Sequence, residues 1–159
     1  LNYNILDNNY NGVVQQIKSG IKPTMDDLNY ALTVKNPQII DIIIKNGIKP
    51  TTDSLIRALK SKDKNVVDVI LKNGAKPDPK YRTLDWAIIT NNIDIVNEMI
   101  KLGDKASDVS LPLAINTGNF DIVKSVILSG KLPTQSDVEY AKKQKTRNFK
   151  IIDLLEKNI

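Results

Sequence analysis

Five copies of one short phrase, almost evenly spaced, constrain this chain more than any other feature. Gly20-Ile21-Lys22-Pro23, Gly47-Ile48-Lys49-Pro50 and Gly74-Ala75-Lys76-Pro77 share a Gly-x-Lys-Pro pattern, and Gly103-Asp104-Lys105-Ala106 and Gly130-Lys131-Leu132-Pro133 are degraded copies. The glycines stand 27, 27, 29 and 27 residues apart. A fixed period of this length is the mark of a repeat architecture, in which one supersecondary element recurs and is covered by its neighbours.

The residues between glycines define that element. Eight positions after the glycine stands Leu28, Leu55, Leu111 or Val138, and ten positions after it in the third repeat, Leu84. Three residues on comes an alanine every time (Ala31, Ala58, Ala87, Ala114, Ala141), followed in four repeats by Leu32, Leu59, Ile88 or Ile115. Apolar positions at i, i+3 and i+4 share one helical face, and an alanine in that face marks a close approach of neighbouring helices. A second aliphatic frame leads to the next glycine: Ile39-Ile40/Ile43-Ile44, Val66-Val67/Ile70-Leu71, Ile95-Val96/Met99-Ile100, Ile122-Val123/Val126-Ile127 and Ile151-Ile152/Leu154-Leu155. Turn formers separate the two frames: Asn36-Pro37, Asp63-Lys64-Asn65, Asn91-Asn92 and Thr117-Gly118-Asn119. Glycine after a second helix suits a left-handed C-terminal position, and a proline three residues later stops the helix from continuing. Thr24 and Thr134, with Asp27 and Asp137 three residues on, have the form of a capping box.

Each repeat is therefore expected to be a helix-turn-helix with a short link and no room for a strand. The first residues fit from mid-frame, with Leu1 in the place of Leu28, Val13 and Ile17 in those of Ile40 and Ile44, and Asn4 and Gln16 replacing an alanine and an aliphatic residue. The expectation is one all-α domain over 1–159, a solenoid of stacked hairpins with a partial repeat 1–19, repeats 20–46, 47–73, 74–102 and 103–129, and a C-terminal cap 130–159. A hairpin this small cannot bury its own apolar face, so stacking must supply the burial.

Composition narrows the function classes. The 159 residues include no Cys and no His. That excludes a disulfide framework, a thiolate nucleophile, imidazole acid-base chemistry and Cys- or His-ligated metal sites. No glycine-rich phosphate loop is present, and the Asp26-Asp27 pair adjoins a helix start, where carboxylates cap amides. No catalytic residue, cofactor, metal or small-molecule substrate is assigned. The net charge is +5, carried by 20 Lys and only 3 Arg against 15 Asp and 3 Glu. Sparse arginine is a poor supply for reading base edges. No apolar run approaches the ~20 residues of a membrane span, so no membrane role is expected.

Leu84-Asp85-Trp86-Ala87-Ile88 through Asn92-Ile93-Asp94-Ile95-Val96 resembles the Leu-His-x-Ala-Ala … Gly-His-x-Glu-Ile-Val stretch of ankyrin repeats. Leu111-Pro112-Leu113-Ala114 through Gly118-Asn119-Phe120-Asp121-Ile122-Val123-Lys124 is the nearest copy, and Gly74-Ala75-Lys76-Pro77 sits where the family has Gly-Ala-Asp. Ankyrin repeats run about 33 residues, and the residues missing here fall in the link that forms the family's β-hairpin finger. The Thr-Pro before the leucine and the His after it are also absent. The resemblance is thus to a short-finger ankyrin variant, of a Lys/Asn/Ile-rich kind typical of large DNA viruses, intracellular bacteria and AT-rich protists. It implies a non-enzymatic, intracellular protein-binding module, a monomer or part of a longer chain, that engages its partner through the first helices and links.

Three sets of residues are candidates for contact. Lys22, Lys49, Lys76 and Lys105 hold the same place in successive repeats and read either as a basic ladder for an acidic protein strip or a phosphate backbone, or as solvated lysines offsetting helix C-terminal dipoles. Tyr30, Arg57 and Trp86, with Leu113 and Tyr140 at the same place, stand two residues past the key apolar position, and read either as binding anchors or as packing between repeats with polar tips in solvent. Lys142, Lys143, Lys145, Arg147 and Lys150 crowd the last turn around Phe149, and read either as a nucleic-acid or nuclear-import patch or as the polar face of a terminal cap. A nucleic-acid-binding solenoid and a structural component of a viral particle are the rival readings to a protein-interaction scaffold.

Overall fold

Helix initiation in this chain is written into short polar side chains. In the computed structural model, which describes residues 1–145 and 147–159, every second helix of a hairpin starts at an Asn or Asp whose side chain accepts backbone N–H bonds of its first turn. Asn9 opens α2 (Tyr10–Lys18), Asn36 opens α4 (Pro37–Lys45), and Asp63 opens α6 (Lys64–Lys72). Asn92, Asn119 and Asn148 do the same for α8 (Ile93–Lys101), α10 (Phe120–Leu128) and α12 (Phe149–Glu156). The sequence marks these residues as turn formers; their further task is to satisfy orphan helical amides.

First helices start differently. Thr24, Thr51 and Thr134 close reciprocal capping boxes with Asp27, Ser54 and Asp137 at the heads of α3 (Met25–Val34), α5 (Thr52–Ser61) and α11 (Gln135–Lys143). The remaining first helices are α1 (Asn2–Leu6), α7 (Thr83–Ile89) and α9 (Ser110–Thr117). Helices stop as expected: Gly20, Gly47, Gly74, Gly103 and Gly130 have φ between +88° and +112°. Each of these glycine N–H groups bonds back to a carbonyl of the helix it ends. Among the described residues there is no strand.

The chain divides into two compact units, Leu1–Lys76 and Pro77–Ile159. Each holds three helical hairpins. In the N-terminal unit α1 packs on α3 and α3 on α5, while α2 packs on α4 and α4 on α6. In the C-terminal unit α7, α9 and α11 form one row and α8, α10 and α12 the other. The alanine column is fully buried at Ala31, Ala58, Ala87 and Ala114, where a larger side chain would hold the first helices apart. Leu28, Leu55, Leu84 and Leu111 stand at 0% exposure beside it, each supplying about 1.5–3 kcal/mol of burial. The second helices contribute Ile40, Ile43, Val67, Ile70, Val96, Met99, Val123 and Val126. Gln16 falls in the Ile43 column, and its Oε1 is buried with no hydrogen-bond partner among the described residues.

Two features escape the repeat pattern. The turn inside five of the hairpins passes through a left-handed residue: Asn8, Lys35, Lys62, Asn91 and Gly118, with φ between +54° and +68°. Asn and Gly adopt this conformation readily, whereas an ordinary L-residue there costs roughly 1–2 kcal/mol. The second feature is the two-residue expansion of the third repeat, which becomes a single 3-10 turn, Pro79–Tyr81, headed by the Asp78 side chain.

That expansion sits beside a buried polar cluster. Thr83 takes the place of the capping-box partner but bonds five residues back, its Oγ1 accepting from the Asp78 N–H at 3.0 Å. It also donates to Asp104 Oδ2. Two residues on, Asp85 accepts from Arg82 Nε and Ser107 Oγ, each at 2.7 Å, and from Ser110 Oγ. Ser110 in turn accepts from the Ser107 N–H at 2.8 Å. Thr83, Asp85, Asp104 and Ser110 are all buried, so these bonds hold α7 against the link and head of α9.

Candidate functional site

The position two residues past the buried leucine points outward in most hairpins. In the N-terminal unit Tyr30 on α3 is 40% exposed, and Arg57 on α5 is exposed with an ion pair to Asp53 at 2.7 Å. In the C-terminal unit Trp86 on α7 and Leu113 on α9 are half-buried. Tyr140 on α11 is exposed, and its hydroxyl donates to Asn116 Oδ1 at 2.8 Å. Neither of the two sequence alternatives holds along the whole series: Tyr30 and Arg57 face solvent, whereas Trp86 divides its ring between protein and water.

Arg57 does not stand alone. Between α3 and α5 lies an open hollow of about 280 Å³ lined by Asn29, Leu32, Thr33, Lys35, Arg57, Lys60 and Ser61. Lys35 reaches across it, its ammonium donating to the Ser61 carbonyl at the end of α5 at 3.2 Å. Lys35 and Lys60 are functional candidates that the sequence pattern does not single out. For Lys35 the signal is the hairpin turn, where Lys35 and Lys62 stand in the position taken by Asn91 and Gly118 elsewhere; Lys60, inside α5, has none.

The link lysines are solvent-facing, as the ladder needs. Lys22, Lys49 and Lys76 belong to successive links of the N-terminal unit and are exposed. Lys22 shares a hollow of about 530 Å³ with Ile17, Gly20, Ile21, Pro23 and the next link's Asn46, Gly47 and Ile48. Lys105 is an exposed link residue of the C-terminal unit, its N–H donating to Asp104 Oδ1 at 2.9 Å.

In the C-terminal cluster, two members have structural partners. Lys142 pairs with Glu156 at 2.6 Å, and Arg147 Nε donates to the Lys142 carbonyl at 2.9 Å. Lys143, Lys145 and Lys150 are exposed, and Phe149 beside them is 74% exposed. Arg147, Asn148, Phe149, Lys150 and Gly118 line a hollow of about 530 Å³.

Two carboxyl groups are perturbed, both in the C-terminal unit. Burial raises the Asp104 carboxyl above its ordinary value, although the Thr83 hydroxyl and two backbone amides pull the other way. The Lys131 ammonium, bonded to Asp108 at 2.7 Å, lowers that exposed carboxyl. Among the described residues no group of three or more Asp and Glu side chains is arranged to hold a metal ion, and no helix is long and apolar enough to cross a membrane.

Hairpins that stack within each unit, first helix on first helix and second on second, have a counterpart of known structure. The chain is similar over 99% of its length to the crystallographic ankyrin repeat domain of Bcl-3, a member of the IkappaB protein family, with a TM-score of 0.70, 14% identity and 84% of that domain covered. This is the ankyrin-repeat fold. No protein-family model and no curated protein matches the sequence. Within the ankyrin-repeat fold, the links of this chain carry no strand among the described residues, as the short period predicts. Ser107 and Ser110 lie under the Asp85 carboxylate and donate to it.

Proposed function

We propose that the protein is a non-enzymatic interaction scaffold that binds a protein partner through its first helices and links. The ankyrin-repeat fold supports this reading, and its first helices here turn Tyr30, Arg57 and Tyr140 to solvent from a packed core. Tyr30, Arg57 and Trp86 are the anchors, and the link lysines Lys22, Lys49, Lys76 and Lys105 form the charged border. Tyr and Arg at a rigid surface concentrate binding energy, because little conformational freedom is lost when they are covered. An intracellular setting belongs to the same proposal.

A photo-crosslinking residue at position 30 or 86 tests it in cells of the native host. A discrete protein adduct, lost with Arg57→Ala, is the expected result. Adducts equal to those from a crosslinker at Lys124, an exposed second-helix site, would overturn it.

A second reading rests on one observation, the exposed Phe149 ring among Lys143, Lys145 and Lys150. Basic side chains flanking an exposed aromatic suit single-stranded nucleic acid, which stacks on the ring and lays phosphates on the ammonium groups. Capture on single-stranded DNA that falls steeply between ~50 and ~200 mM salt and is lost with Phe149→Ala favours this reading.

A further inference from the structure

We propose that the hollow between α3 and α5 is the docking site for an acidic peptide segment of the partner protein. The inference rests on the scaffold reading and gives it a chemical class.

Three of the seven residues that line the hollow are cationic, Lys35, Arg57 and Lys60, and none is acidic. Arg57 Nε is bonded to Asp53 on its own helix, and its remaining guanidinium N–H groups can donate two parallel bonds to a second carboxylate, whereas lysines serve as point charges at the rim. The volume of about 280 Å³ lies just below the ~300–1,000 Å³ typical of small-molecule pockets, and the hollow is open along its length, as suits a few side chains of an extended segment. Its lining has no aromatic ring on which a base could stack, which argues for peptide over nucleic acid.

The backbone supplies an independent observation. Lys35 and Lys62 occupy the left-handed turn position at φ +61° and +59°, where three other hairpins use Asn8, Asn91 and Gly118. The fold alone favours Asn or Gly there, so a lysine is held against the backbone preference. Lys35 has a partial structural account, its bond to the Ser61 carbonyl. Lys62 has none: among the described residues its ammonium makes neither a hydrogen bond nor an ion pair. A basic turn in successive hairpins beside a basic hollow is accounted for by an anionic partner.

Fluorescence anisotropy of a labelled Glu/Leu decapeptide, with a Gln/Leu decapeptide as control, tests this on the full chain at low salt. The Glu peptide should bind at least about tenfold tighter, as a desolvated Arg–carboxylate pair with lysine support allows. Lys62→Gly should weaken it about twofold to fivefold and Lys35→Gly/Lys62→Gly about tenfold, the scale of one and two partly exposed ion pairs. Lys62→Gly should melt no lower than the parent chain, which separates lost charge from lost folding. Equal binding of Glu and Gln peptides, unchanged binding by both variants, or tighter binding of single-stranded dT10 than of the Glu peptide would each overturn the proposal. If the peptide fails while crosslinking at Tyr30 still captures a protein, the docking proposal falls and the scaffold reading stands. If both fail, the scaffold reading falls too.

Discussion

Individual positions show where this chain gives up stability. Gln16 leaves a buried oxygen unbonded among the described residues, at a repeat position that holds Ile43 and Ile70 in the same unit. Gln16→Leu should raise stability by about 1 kcal/mol in urea titration, since it removes an unsatisfied polar atom and adds apolar contact. Lys62→Gly should add about 0.5 kcal/mol, the relief of the left-handed backbone less the entropy that glycine brings to the unfolded chain. Asp104 should titrate in the opposite sense from most paired carboxylates. Its folded carboxyl is raised by burial, so the folded state holds that proton more tightly than the unfolded chain. Its contribution is therefore most favourable below the ordinary value of 3.8 and is lost as pH rises through the higher folded value. Asp108 runs the other way, contributing above 3.8 and losing that contribution as pH falls through its lowered folded value. Comparing melting temperatures of the parent chain and Asp104→Asn should show the parent's advantage shrinking as pH rises from about 3 to about 6; a constant gap would refute the assignment. The boxes of Thr24 with Asp27 and Thr134 with Asp137 are legible in the sequence because each is closed within three positions, whereas the Asn and Asp caps of the second helices read there only as turn formers. The partners of Asp85 are not, since Ser107 and Ser110 are 22 and 25 residues away.

Helices and links differ in how much a single side chain secures. Asp85→Ala would strand Ser107 and Ser110 hydroxyls in a buried site and release the Arg82 fork, and should cost about 3 kcal/mol or more. Asp53→Ala breaks an exposed pair with Arg57 one turn away and should cost under about 1 kcal/mol. Thermal denaturation of the two variants side by side measures the contrast. At α11, Thr134→Ala should cost about 1 kcal/mol through its cap. Trp86→Ala should fall between surface and core, about 1–3 kcal/mol, because the indole is half-buried. The sequence leaves Trp86 open between an anchor and a packing residue, because its degree of burial depends on neighbours that periodicity does not reveal.

For the molecule, the hairpin architecture is legible because it is periodic. One phrase repeated at a fixed interval determines helix starts, helix stops and buried faces several times over, so an error in any copy is corrected by the others. The division at Lys76/Pro77 has no comparable mark; it falls inside a repeat, next to the expanded link. Within each unit the packed helices belong to the same or successive hairpins, which keeps contacts short in sequence and refolding fast, on a timescale of milliseconds or less. Native-state hydrogen exchange should register Lys62→Gly chiefly in amides of Leu1–Lys76 and Asp85→Ala chiefly in those of Pro77–Ile159.

The 3-10 turn at Pro79–Tyr81 has a practical consequence. Two residues have entered that link while Leu84, Ala87 and Ile88 remain fully buried, so the register of the hairpin behind it has absorbed the change. Lys80 and Tyr81 project into solvent, with the lysine ammonium 5.5 Å from the ring centre. An epitope tag or fluorophore-bearing loop spliced after Lys80 would enter an exposed turn between helices, and the chain could then be followed in a cell without interrupting a helix.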